Sequence, residues 1–95
     1  MRSELDVMRR AGITRSRFRA RFARLDHRGY IVLEDVETPV GTMDHIWIRP
    51  KHWHGPLPYP GDNVEFKAQI EPYWRDDGTE DLGLFRLQFI GWPEA

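Results

Sequence analysis

Arg17-Phe18-Arg19-Ala20-Arg21-Phe22-Ala23-Arg24-Leu25 is the stretch on which the fold turns. From Arg17 to Phe22, charged and apolar residues alternate strictly. Phe18, Ala20 and Phe22 share one face of an extended chain, and Arg17, Arg19 and Arg21 share the other. That is a strand with a core side and a cationic side. Ala23 and Leu25 continue in the opposite phase, as a β-bulge in a long, bent strand would require. The stretch also has a helical reading. Over residues 7–25, Ala11-Gly12-Ile13 would be the turn of a helix-turn-helix and Thr14 would cap a recognition helix. Phe18, Phe22 and Leu25 would then face inward at i, i+4 and i+7, and the arginines would face DNA. A two-helix fragment has no core of its own, so the strand reading leads.

Before this stretch, Ser3 to Ala11 reads as a short helix. Ser3 caps it, Asp6 sits near its positive end, Arg9 and Arg10 lie in its last turn, and Gly12 ends it. Leu5, Met8 and Ile13 form its small apolar edge, so it must dock to persist. After the stretch, His27-Arg28-Gly29 is a turn and Tyr30 to Val36 a second strand. Glu37 to Met43, with Pro39 and Gly41, reads as a loop. Asp44 to Arg49 is a third strand, with Ile46 and Ile48 on one face and His45, Trp47 and Arg49 on the other. Residues 50–61 hold four Pro and two Gly, which excludes a long helix there. Gly61-Asp62 makes a tight turn. Val64, Phe66, Ala68 and Ile70 then alternate with Glu65, Lys67, Gln69 and Glu71 in the cleanest strand of the chain. Pro72 to Glu80 reads as a polar loop. Leu82 to Ile90 is a last strand with Phe85, Leu87 and Phe89 as its core set.

At 95 residues, with 40% hydrophobic and 31% charged residues, the chain reads as one ordered domain. It has no Cys, which excludes disulfides, thiolate catalysis and Cys-based zinc sites, and favours a cytoplasmic home. The opening residues carry no apolar run, so no signal peptide is expected, and no stretch has the length of a membrane span. Net charge is −1, yet residues 1–30 carry nine Arg against Glu4, Asp6 and Asp26, about +6 in that segment and −7 in the rest. Such a split fits a basic face for phosphates. It fits internal ion pairs between the two halves equally well. Four Trp are hard to hide in so small a core.

Five strands, a bend in the first and a break between the third and fourth make the OB plan. Four groups of residues also resemble an OB-fold family of small bacterial and phage proteins. They are Arg17-Phe18-x-Ala20-x-Phe22-x-Arg24, Val32-Leu33-x-Asp35-Val36, Asp44-His45-Ile46-Trp47 and Leu57-x-x-Pro60-Gly61-Asp62-x-Val64-x-Phe66-x-Ala68-x-Ile70. The resemblance spans about residues 17–70 and implies a barrel that binds single-stranded nucleic acid. The expected architecture is therefore mainly β. A short N-terminal helix occupies residues 1–13, and a single five-stranded OB-type barrel occupies 14–95.

The candidate binding set is basic and aromatic: Arg17, Arg19 and Arg21; His45, Trp47 and Arg49; Lys51 and Trp53; and Tyr73, Trp74 and Arg75. Bases stack on such rings while cations follow phosphates. Two bland alternatives stand beside it. In one the arginines are taken by carboxylates of later strands, and in the other Tyr73-Trp74-Arg75 plugs a barrel end. His52-x-His54 with His45 and Asp44 lacks a firm third ligand, so no metal or other cofactor is expected. The acid pairs Glu34-Asp35, Asp76-Asp77 and Glu80-Asp81 sit in or beside turns, and no catalytic motif is present. The expected function is a non-catalytic module that binds single-stranded DNA or RNA with low sequence specificity. A protein-interaction subunit, or a phage-encoded inhibitor of a nucleic-acid-processing complex, is the alternative. It would use an acidic face of Glu65, Glu71, Asp76, Asp77, Glu80 and Asp81. Small size and exposed rings also allow a dimer.

Overall fold

The computed structural model describes residues 3–93, with Ser3 described by its backbone only, so the cap expected of its side chain lies outside the described residues. The elements are α1 (Ser3–Arg10), β1 (Arg15–Leu25), β2 (Ile31–Thr38), β3 (Gly41–Ile48), a 3-10 turn (Pro50–His52), β4 (Trp53–His54), β5 (Asn63–Trp74) and β6 (Glu80–Gly91). The chain is mainly β, and no described helix is long and apolar enough to cross a membrane.

β1 is a strand. Phe18, Ala20 and Phe22 are buried, while Arg15, Arg17, Arg19 and Arg21 lie outside. The recognition helix over residues 14–25 is therefore absent. Gly12, at φ 83, ends α1, with its N–H on the Arg9 carbonyl and that of Ile13 on the Met8 carbonyl. The Thr14 carbonyl, which would have begun a second helix, instead accepts from Ile70 N–H and seats β1 on β5. The expected bulge is present. Phe22 pairs with Leu33 and Arg24 with Val32, which leaves Ala23 as the extra residue.

Three further register shifts escaped the sequence. One leaves Ile90 as an extra residue where Glu65 and Phe66 face Gly91 and Phe89, and two others hold a left-handed residue. Of these two, one is in β2, where Arg19 and Arg21 face Glu37 and Glu34 and Asp35 takes φ 50. The other is in β6, where Lys67 and Gln69 face Gln88 and Phe85 and Arg86 takes φ 51. The second shifts the side-chain phase. The core set of β6 is Leu82, Leu84 and Leu87, and Phe85 and Phe89 are only half-buried.

Two expected loops are shorter than the sequence suggests, with strand at both of their ends. Residues 37–43 form a hairpin around Pro39-Val40, with Thr38 paired to Gly41 and the Thr38 hydroxyl donating to the Gly41 carbonyl at 2.7 Å. β5 runs through Pro72 to Trp74, and only Arg75 to Thr79 remain as loop. Pro72 is tolerated because the β1 ladder stops at Gln69, so the other side of β5 has no strand to bond there.

The strand order is β3-β2-β1-β5-β6-β4, antiparallel except for β4 beside β6. This six-stranded sheet, not a closed five-stranded barrel, is what the hydrogen bonds define. It is strongly coiled all the same. Five interstrand steps would set the edges of a flat sheet about 24 Å apart. The edge strands β3 and β4 are joined by residues 49–52 alone, whose reach is at most about 19 Å. Helix α1 packs on both β3 and β6, across the open seam. Its Leu5 and Met8 are fully buried in one cluster with Phe18, Leu33, Ile46, Phe66 and Leu87.

Gly55, just after β4, has φ 154, and a Cβ there would lie 2.4 Å from Phe89 Cβ. Gly12 also has positive φ, but nothing lies within 4 Å of an added Cβ. Gly55→Ala should therefore cost roughly 3 kcal/mol in urea unfolding. Gly12→Ala should cost about 1 kcal/mol.

Candidate nucleic-acid interface

The outward residues of β1 meet carboxylates from both neighbours. Arg19 faces Glu37 on β2 and Glu65 on β5. Its Nε donates to Glu65 at 2.9 Å, and Arg17 reaches the same carboxylate at 3.3 Å. Arg21 pairs with Glu34 at 3.2 Å and Asp35 at 3.1 Å. Exposed pairs of this kind contribute at most about 1 kcal/mol each, but they make the middle of the outer face nearly neutral. A cleft of about 510 Å³ lies there, lined by Arg19, Arg21, Asp35, Glu37, Thr42 and Asn63. Of the three arginines expected to form a cationic stripe, all point outward and all are held by acids.

One group of cations without a carboxylate lies nearer the end where β1 turns into β2. Among the described residues, Arg24, Arg49 and Lys51 have no ion-pair partner. Arg24 pairs across to Val32, and Val32 to Trp47. Val32 is only 2% exposed yet stands outside the core cluster, because side chains on the outer face cover it. Trp47, one of its two direct neighbours, is 40% exposed, and the His45 ring meets it edge-on at 4.5 Å. Beside them, the Arg28 guanidinium lies 4.1 Å from the Tyr30 ring centre and Arg49 lies 5.8 Å from it. Asp26 organises this turn by accepting from the backbone N–H of Arg28 and Tyr30 and from the Arg28 guanidinium. Partial desolvation raises the Asp26 carboxyl, but those donors outweigh it and hold the group below its ordinary value.

Other expected site residues are placed elsewhere. Trp53 is 9% exposed, donates its Nε1–H to the Pro56 carbonyl and packs near Phe66 and Phe89, so it belongs to the core and cannot stack a base. Tyr73 rests edge-on against Phe85. Arg75 clamps Asp81, which is 1% exposed, and the hydrogen bond and charge of that carboxylate raise the guanidinium pKa further. Trp74 between them is 72% exposed. The expected acidic face is broken up as well. Glu65 sits among the arginines, Asp81 is buried, and Asp77 is turned onto Thr79 N–H and Oγ1. Among the described residues no three His, Asp or Glu side chains gather as metal ligands. Sequence reasoning missed Arg24, Arg28 and Tyr30 as site residues. The alternation of Tyr30 with Val32 hinted at a shared face, but only the strand register joins them to Trp47.

His52 stacks edge-on against Phe85 at 5.1 Å. Burial, and then the charges of Lys51 and Arg49, hold its pKa below the ordinary 6.5 against a smaller pull from Glu71. The unfolded chain thus takes up a proton that the folded chain resists. Stability should fall as pH drops below about 6.5 and level off once the folded pKa is passed. Thermal melts from pH 7.5 to 5 should show this slope, and His52→Gln should reduce it.

Comparison of the chain with protein-family models, with curated proteins and with solved structures finds no match.

Proposed function

We propose that this chain is a non-catalytic module of OB type that binds single-stranded DNA or RNA with little sequence preference, through the outer face of β1, β2 and β3. The observation that carries the reading is the grouping of half-exposed Trp47 with Arg24, Arg49, Arg28 and Tyr30. A ring accepts any base by stacking, and neighbouring guanidinium groups accept the phosphates on either side. The order β3-β2-β1-β5-β6 supports the OB reading, because it is that of an OB barrel cut between its third and last strands. β4 extends the β3 segment to a parallel pairing with β6, and α1 fills the remaining seam. Of the six carboxylates of the alternative acidic docking face, Glu65 and Asp81 are engaged internally, which favours the nucleic-acid reading over it.

Fluorescence anisotropy with a labelled oligothymidine tests the reading. Binding should weaken steeply with salt, and Trp47→Ala should cost about 1–3 kcal/mol. Arg24→Glu should weaken binding and lower the salt slope by about one unit. Absence of binding at low salt would sink the proposal. A loss on Trp74→Ala with none on Trp47→Ala would move the site to the β5–β6 hairpin.

A further inference from the structure

A second group of cations lies on the outer face over β1, β5, β6 and β4. Arg17 and Lys67 are directly opposed in the β1–β5 ladder. Like charges in that position repel and weaken the pairing. Glu65 relieves Arg17 at 3.3 Å, but it also holds Arg19. Among the described residues Lys67 and Arg15 have no carboxylate partner. Arg15 adds a third charge, since it reaches across β5 to donate to Gln88 Oε1 at 3.5 Å. Gln88 is the ladder partner of Lys67 on one side and of His54 on the other. Arg15, Arg17 and Lys67, with the Gln88 amide and the His54 ring, thus form a tract of donors across four strands.

We propose that this tract is a binding site for a phosphate group. Three cations with one shared carboxylate leave excess positive charge, and a phosphate with several acceptor oxygens matches guanidinium and ammonium donors from adjacent strands. The repulsion between Arg17 and Lys67, only partly offset by the Glu65 carboxylate that Arg17 shares with Arg19, is what such an anion relieves. The site does not depend on the reading of the Trp47 face. Arg17 and Arg24 are seven residues apart on β1, at most about 23 Å along the strand, and the paired Arg19 and Arg21 lie between them, so the tract is a separate station. The phosphate comes either from a free phosphate ion or from the backbone of a strand that also crosses Trp47.

Thermal unfolding of the full chain in sodium phosphate and in sodium chloride at equal ionic strength, pH 7, is the test. The wild-type midpoint should be higher in phosphate, and Arg9→Gln, on α1 away from the tract, should keep that increment. Lys67→Glu should raise the midpoint in chloride by about 1–4 °C, because it removes the like-charge opposition, and should abolish the phosphate increment. In calorimetric titration with inorganic phosphate, Lys67→Gln should bind about tenfold more weakly. Equal wild-type midpoints in the two salts, or an increment that survives Lys67→Glu, overturns the proposal. Adding unlabelled oligothymidine separates the two sources. Loss of the phosphate increment assigns the site to the strand backbone, and its persistence assigns it to a free phosphate. Failure of oligothymidine to bind at all would count against the Trp47 reading and leave the phosphate result standing.

Discussion

β1 has to serve two partners on different halves of its length, and the rest of the molecule is arranged around that constraint. β5 pairs with it over Arg15–Arg21 and β2 over Arg19–Leu25. Only three residues, Arg19 to Arg21, are sandwiched between both. A flat strand so loaded would send β2 and β5 past one another and leave Phe18, Ala20 and Phe22 on an open surface. The extra residue at Ala23 bends the strand instead and increases its twist. The sheet therefore coils onto its own apolar face, the two edges approach, and a helix that buries Leu5 and Met8 suffices to cover the seam.

The parts legible in the sequence were those set by local periodicity. The alternation of Arg17–Phe22 and of Val64–Ile70 depends on which residues need water, and that information lies within a few neighbours. The bulge at Ala23 was legible for the same reason, because the phase visibly changed. Those at Asp35 and Arg86 were not. Glu34-Asp35-Val36 and Phe85-Arg86-Leu87 show no break in pattern, and their left-handed backbone is imposed by the register of β1 and β5 across the ladder. Pro72 misled in the opposite direction. A proline normally argues against a strand, but here it stands where β5 has a partner on one side only.

The site followed the same division. That Trp47 lies opposite Ile46 and Ile48 was readable from alternation. That Trp53 is core was not, because the Pro-rich context concealed the short ladder placing it opposite Leu87 and near Phe66. Charge was the least legible of all. Nine arginines in the first thirty residues look like one basic surface. Which of them stay positive depends on which β2 and β5 residues stand opposite. The register puts Glu37 and Glu65 beside Arg19 and Glu34 beside Arg21, but Lys67 beside Arg17 and Val32 beside Arg24. One strand thus carries a neutral centre between two cationic ends.

That division bears on how the exposed rings are to be understood. A chain of 95 residues without a disulfide has little apolar surface to spare, and this one draws Trp53 into its core. Trp47 stays 40% exposed above Val32, in a position where a Thr or Arg would cover the same valine with less apolar area left in water. Its exposed face gains burial when something flat and apolar covers it, and the cations around it bias that partner toward one carrying negative charge.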